Sequence, residues 1–507
     1  MNGVRDLGGL IRLRAGKDGD RTFLVEPDSG ETLSFGGLEE KVRALGSRLA
    51  AWGFKKGDRA ACMVRNGIRG SAAFLAVTAA GGVAVPVSPR SAPRELAFLL
   101  EHSGAAWLLA ETDGDIEQKS GAHFLEEPEP GLGLYRIENA GEKNGERIPA
   151  DLALLLYTSG TTGIPKGVML THANLLAECN NIRLAHNLTR EDKALCLLPL
   201  NHINGLVVTL LTPLYTGFPV VMPPKFSAGH FWSWVQNEAV TWFSAVPTIY
   251  SILLSREIPS PAAYPKLRFM RSASSALPEA VLAAFEEQTG VPLIESYGIT
   301  EGGSQITSNP LPPGARKPGS VGLPFGDEIR IIREEGGEAP LGTIGEVAVR
   351  GKNIACAYYK NEEATRESFR DGWFLTGDLG YFDTDGYLYL QGRRKELINR
   401  AGEMISPREI DELLYRIPGI ELAAAVGVPH PLYGEEIVAF IKLRGDLSPS
   451  TLSEESIRAF LAERLSAFKV PRRIYYTDDF PKGPSGKIQR LKLVDRFQAL
   501  KPEERKR

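Results

Sequence analysis

The sequence predicts an α/β protein with a large N-terminal domain of helix-covered sheets, residues 1–393, and a small C-terminal α+β domain, residues 394–507. Three observations predict it. Segments with helical spacing alternate with short continuous apolar runs, the pattern of strands buried on both faces of mostly parallel sheets. A chain of 507 residues exceeds one ordinary core, so about two to four folding units are expected. After Arg393 the text changes to that of a compact module with its own helix start, strands and loops.

Taken in order, Leu38, Val42, Leu45 and Leu49 recur at helical spacing and stop near Gly53, ahead of a strand-like run, Arg59 to Asn66. A further helix leads into Gly81–Pro89. Alternating helices and short apolar strands continue through residues 152–160, 207–215, 240–248 and 291–299. Residues 71–89 and 194–224 carry no charge, yet they read as buried core rather than membrane spans, because Gly81, Gly82 and Pro86 break the first and Pro199, Gly205, Pro213 and Pro219 divide the second. In the C-terminal module, Ser406-Pro407-Arg408-Glu409 reads as a capping box ahead of Ile410, Leu413 and Leu414. Strand-like 422–428 and 437–443 follow, then a helix carrying Ile457, Phe460, Leu461 and Leu465, and a Gly-Pro-rich loop bearing Lys487. No internal repeat is present.

With 43% hydrophobic and 24% charged residues and a net charge of −3, the chain is that of a folded globular protein, neither disordered nor fibrous. Without a basic excess there is no broad electrostatic footprint for nucleic acid. Cys62, Cys179, Cys196 and Cys356 are too scattered for a zinc knuckle and too few to staple a chain of this size. The N-terminus lacks a secretory core and the C-terminus a peroxisomal ending, so a cytoplasmic monomer or homodimer is expected.

The most informative segment runs from Tyr157 to Gly167, directly after the apolar strand Leu152–Leu156. Glycines such as Gly160 let backbone N–H groups approach an anion. The hydroxyls of Thr158, Ser159, Thr161 and Thr162 add neutral donors, and Lys166 supplies a point charge suited to phosphate. A polyphosphate is the natural guest. It is not a Walker loop, since Lys166 sits between Pro165 and Gly167. Tyr157-Thr-Ser-Gly-Thr-Thr-Gly-Ile-Pro-Lys-Gly167 resembles the phosphate loop of the adenylate-forming superfamily of acyl-CoA synthetases, firefly luciferase and peptide-synthetase adenylation domains. Further motifs come in that family's order over nearly the whole chain.

The resemblance implies a role for each of these motifs. In Tyr297-Gly298-Ile299-Thr300-Glu301 the tyrosine stacks on adenine, Thr300 contacts phosphate and Glu301 holds magnesium; one carboxylate suffices, because magnesium shares water and substrate phosphates. Ser274, Ser275 and Ala276 line the adenine, though read alone they form an ordinary turn. Asp378 accepts the ribose hydroxyls, Arg393 reaches the nucleotide and Lys395 is the hinge. Lys487 is the mobile catalytic lysine; without the resemblance it is a solvated surface residue. Segments 308–312 and 317–322 resemble the oxalyl-CoA synthetase branch. That branch places a histidine where Ser304 stands and His-Val-His-Gly where this chain reads His202-Ile203-Asn204-Gly205, and a malonate enzyme would carry arginine at Ser296. Oxalate therefore competes with an aliphatic or aromatic monocarboxylate. His202, Ser296, Gly298 and Ser304 are expected in the acid pocket, His202 equally fitting a core histidine.

Such a family member is an ATP-dependent acyl-CoA synthetase using ATP, Mg2+ and coenzyme A on a small carboxylic acid, with no nucleic acid and no membrane span; this is what the resemblance implies for the chain. A carrier-protein ligase or stand-alone adenylation enzyme shares the first half-reaction and stays open, as does a non-catalytic nucleotide-binding protein.

Overall fold

The computed structural model describes residues 3–112, 114–138, 148–158, 165–445, 447–483 and 486–500. Among them the chain forms four sheets. The largest has nine strands, and its centre, Ala194–Cys196, Trp242–Ala245, Phe269–Ser272 and Leu293–Tyr297, runs parallel. An eight-stranded sheet is built around Arg59–Met63, Val83–Pro86 and Leu152–Thr158. Their strands are buried throughout their middle, as continuous apolar runs require.

Helices cover these sheets for reasons visible in the chain. Ser34 accepts the Gly37 N–H at 3.0 Å and starts the helix Phe35–Ala51, which turns Leu38, Val42, Leu45 and Leu49 inward. Each such side chain contributes about 1.5–3 kcal/mol by leaving water. Gly53, at φ +89°, ends the segment.

A third, antiparallel sheet contains Glu328–Ile332, Gly345–Arg350, Trp373–Phe382 and Leu388–Arg393. Its register sets Asp378 directly opposite Arg393. The short turn Arg394–Glu396 then leads into a fourth sheet, whose long strands Ile420–His430 and Gly434–Leu443 are covered on one face by the helix Pro407–Tyr415 and on the other by Arg490–Ala499. Helix-covered α/β sheets followed by a smaller α+β unit are the class that the sequence predicts.

Two local readings need correction. Residues 207–215 do not form a strand: Asn204–Leu211 is a π-helix that runs into the helix Thr212–Thr216. The run is apolar on every side, so it has no periodicity to tell strand from helix. A Cβ on Gly205 would lie 2.3 Å from the Pro199 carbonyl oxygen, so glycine alone permits this wide helix to pack there. The expected capping box at Ser406 is also not formed. The helix does begin at Pro407, but the Ser406 hydroxyl donates instead to the Gln391 carbonyl, tying the helix start to the strand before the turn. Among the described residues the four cysteines are free thiols, and no helix is long and apolar enough to cross a membrane.

Candidate active site

Four separate stretches of chain meet at one cavity of about 210 Å³. Its walls are the loop Ser274–Ala276 after one parallel strand, Ser296–Gly298 at the end of the next, Asp378 and Arg393 from the antiparallel sheet, and Lys487 from the C-terminal module. The carboxyl ends of parallel strands are where such sheets open a crevice.

Asp378 is the organising group. Its Oδ2 accepts the Tyr297 hydroxyl at 2.6 Å and its Oδ1 accepts Arg393 Nε at 3.1 Å, while its own N–H donates to Thr376 Oγ1 at 3.0 Å. Burial, and then the Asp378 charge, push the Tyr297 phenol well above its usual range, so it stays a donor. The same carboxylate raises Arg393. Gly377, at φ +73°, turns the chain so that Asp378 faces inward.

The expected phosphate end is bordered by two strands and a turn. Thr158 closes the strand Leu152–Thr158 and pairs in register with Lys166, which opens the strand Lys166–Thr171. Ser159, Gly160, Thr161 and Thr162, the centre of the expected phosphate loop, lie outside the described residues. Lys166 Nζ stands 4.7 Å from the centre of the Tyr358 ring, and the Tyr358 hydroxyl donates to Glu301 Oε1 at 2.7 Å. One tyrosine thus couples the loop lysine to the carboxylate of the turn Thr300–Gly302, leaving the other Glu301 oxygen for a cation. Sequence reasoning missed Tyr358; only its place in a strand paired with Gly167 and Val168 reveals it.

Lys487 reaches the cavity because its loop docks on the large unit. Gly486 O accepts the Thr248 hydroxyl at 2.9 Å, and Gly483 N–H donates to the Lys487 carbonyl at 2.8 Å. Burial lowers the Lys487 pKa first, Arg393 lowers it further, and Glu396 and Asp378 oppose them. Lys395 is exposed in the turn Arg394–Glu396, between the two units. Contacts across that junction include Arg408, which donates to the carbonyls of Leu390 and Gly319 at 2.8 and 3.1 Å, Arg416, which pairs with Glu279 at 3.1 Å, and Tyr415, which packs against the apolar core of the large unit.

The acid-pocket residues divide. Ser296 and Gly298 face the cavity; His202 and Ser304 are not among its lining residues. A Cβ on Gly298 would lie 1.4 Å from the Ser304 carbonyl oxygen, so the two stretches touch backbone to backbone. Ser304 and Ser274 hold φ of +146° and +75°, each costing roughly 1–3 kcal/mol, and such strain collects at working sites. His202 is half-buried, its Nε2 enclosed without a partner among the described residues, and burial pulls its pKa down to about 4, so it is neutral. The Ser296 hydroxyl shares a 3.0 Å hydrogen bond with Ser308, with no cation in its place.

A lysine opening the strand after the expected phosphate loop, a carboxylate linked to it by Tyr358, a paired Tyr–Asp–Arg group and a lysine from the C-terminal module are the groups an adenylate-forming enzyme would need. The comparisons agree. The AMP-binding enzyme family model matches residues 11–359 and the model of its C-terminal domain residues 409–487, so the chain belongs to the AMP-binding enzymes. It is 41% identical over 505 residues to the sulfoacetate–CoA ligase of Cupriavidus necator, covering 96% of this chain and 97% of that protein. It is 40% identical over 511 residues to the oxalate–CoA ligase of Arabidopsis thaliana, covering 97% and 98%. Among solved structures, ATP-bound MatB from Rhodopseudomonas palustris matches with a TM-score of 0.86 at 28% identity, over 98% of this chain and 99% of that one. The anthranilate CoA ligase AuaEII in complex with anthranoyl-AMP matches with a TM-score of 0.85 at 26% identity, over 98% of each chain. The chain is an ATP-dependent acyl-CoA synthetase, an AMP-forming acid–thiol ligase.

Proposed function

We propose that this chain joins a short carboxylic acid to AMP in the cavity between its two units and then passes the acyl group to coenzyme A. The observation that carries the reading is the meeting of Lys487 with Tyr297, Asp378 and Arg393 in one cavity. A lysine held by a separate module has no reason to be enclosed beside that group unless a reaction needs it there.

A carboxylate oxygen of the acid attacks the α-phosphorus of ATP, the bond from that phosphorus to the bridging oxygen breaks, and pyrophosphate leaves. Lys487 offers its ammonium to the acid's carboxylate and the α-phosphate as charge gathers between them, and Lys166 meets the departing phosphates. Asp378 uses two of its roughly four acceptor sites on Tyr297 and Arg393, leaving the others for the ribose hydroxyls. Tyr297 presents its ring to the adenine beside the small residues Ser274, Ser275 and Ala276. In the second half-reaction the thiol sulfur attacks the acyl carbon, the carbon–oxygen bond to AMP breaks, and the thiol proton passes to solvent.

Glu301 would hold a magnesium ion: one oxygen accepts the Tyr358 hydroxyl at 2.7 Å and the other is a hard donor, and magnesium would take its further ligands from substrate phosphates and water. The ion would offset phosphate charge, and Thr300 adds a hydroxyl to the same oxygens.

We further propose that residues 1–393 and 394–507 move as two bodies about Lys395, withdrawing Lys487 after the adenylate forms and bringing another face to the thiol. The exposed turn at Lys395 supports it. For the acid, two similar proteins carry names that specify oxalate and sulfoacetate, short acids with an anion at each end. We take that class for this chain, ahead of monocarboxylates. Purified protein with ATP, magnesium and a panel of acids should exchange labelled pyrophosphate into ATP only when an acid is present. Exchange without acid, or none with any acid, overturns the proposal.

A further inference from the structure

Behind the cavity lies a buried guanidinium that the adenylation chemistry leaves unused. Arg271 sits in the parallel strand Phe269–Ser272 with its side chain wholly enclosed. Its Nη1 donates to Ser244 Oγ at 2.8 Å and its Nε to Gln305 Oε1 at 3.1 Å, but Nη2 has no partner among the described residues. The neighbouring Gln305 is equally buried. Its Oε1 also accepts His186 Nε2 at 2.9 Å, yet its Nε2 donors are unpartnered too. Two adjoining polar groups therefore present free donors in a place where each missing bond is costly.

No carboxylate among the described residues pairs directly with this charge. Arg271 takes part in no ion pair there, and the carboxyl whose field it feels is Glu178. Glu178 spends its oxygens elsewhere, accepting the Gln305 N–H at 2.6 Å and the Asn353 amide at 3.1 Å, and burial raises its pKa well above the usual carboxyl range. His186 and His202 are neutral, with pKa values lowered to about 3 and about 4 by burial. Arg271 itself, lowered to about 10, remains charged at neutral pH. A buried cation without a direct ion pair is retained against a large desolvation cost.

Two chains of contacts lead from it to the cavity. Ser244 donates to Asn204 Oδ1 at 3.0 Å, and Asn204 Nδ2 donates to Ser274 Oγ, a cavity-wall group, at 3.3 Å. Gln305 follows Ser304, whose carbonyl abuts Gly298 on the opposite wall. Ser274 and Ser304, both held at positive φ, are the residues on which these two chains of contacts end.

We propose that Arg271, with the Gln305 amide and Asn204 beside it, is the counter-charge for a second anionic group on the acid, and so selects short acids bearing a carboxylate or sulfonate at the end remote from the reacting carboxylate. This rests on the adenylation reading and names the residue that sets its substrate class. It also supplies the cation that Ser304 and Ser296 do not.

The test is labelled pyrophosphate exchange with oxalate, malonate and sulfoacetate on one side and acetate, propionate and butyrate on the other, for the native enzyme, Arg271→Met and Arg271→Lys. The native enzyme should favour the two-anion acids by at least about 10²-fold in kcat/KM, since a site built around buried polar groups rejects a ligand that leaves them unpaired. Arg271→Met should lose at least about 10²-fold on those acids, gain on butyrate, and keep its KM for ATP within about 3-fold; Arg271→Lys should recover part of the loss. Native exchange that is equal or better with monocarboxylates overturns the assignment while leaving adenylation intact, as does an equal loss on both sets in Arg271→Met. Absence of exchange with every acid overturns adenylation itself. Should Arg271→Met not fold, the native comparison and Arg271→Lys decide.

Discussion

Replacing Lys487 by alanine separates the two half-reactions. In the cavity Lys487 stands with Arg393, Asp378 and Glu396, on a loop fastened by the Thr248 hydroxyl to Gly486. Its ammonium is thus fixed before substrates arrive, and a preorganised donor lost from such a site costs about 10²–10³-fold, or roughly 3–4 kcal/mol, in the step it serves. The loss should fall on acyl-AMP formation, read as pyrophosphate release in a single turnover. Thioester formation from supplied acyl-AMP and coenzyme A should change by less than about 3-fold. The pH profile gives a second reading. Burial lowers the Lys487 pKa below the ordinary 10.5, so its charged form is present only below that lowered value. Adenylation should therefore fall as pH rises through a value below 10.5, with no matching fall in thioester formation, and Lys487→Arg should carry any retained activity to higher pH. Equal losses in both half-reactions would refute this reasoning.

Other outcomes follow from single contacts. Asp378→Ala removes the acceptor of both Tyr297 and Arg393, and the KM for ATP should rise at least about 10-fold by steady-state kinetics. Gly298→Ala puts a methyl 1.4 Å from the Ser304 carbonyl, so soluble protein should lose nearly all exchange activity and several degrees of melting temperature. Glu295 is enclosed behind the adenine wall, accepting the Leu277 N–H at 3.1 Å, and burial raises its pKa from 4.5 to about 7. The folded state holds that proton where the unfolded chain releases it, so stability drains away as pH climbs from about 4.5 through about 7. Denaturant titrations should show Glu295→Gln gaining on the native protein by up to about 3 kcal/mol between about pH 5 and pH 8, and a pH-independent difference would contradict it.

Three residues set apart by contiguous motifs, Tyr297 before Gly298, Asp378 after Thr376-Gly377 and Lys487 beside Gly486, line one cavity. Glycines and hydroxyls at set spacing carry their own geometry. What stayed hidden depends on register between distant strands. Tyr358 joins Lys166 to Glu301 across 192 and 57 residues of sequence, and no local pattern announces that. Arg271 did leave a signal, a charge inside the apolar strand Phe269–Ser272 between two others, where both faces are covered and a charge must be buried. Its free Nη2 and its lack of a direct ion pair needed coordinates. The helix Asn204–Leu211 was illegible for the opposite reason, an apolar surface all round.

Acid-dependent return of labelled pyrophosphate into ATP bears most directly on the chemistry proposed for this cavity. With magnesium, ATP and a short two-anion acid, label should enter ATP in the native protein and fall at least about 10²-fold in Lys487→Ala. Label entering ATP at the same rate without acid, or with Lys487 removed, would contradict it.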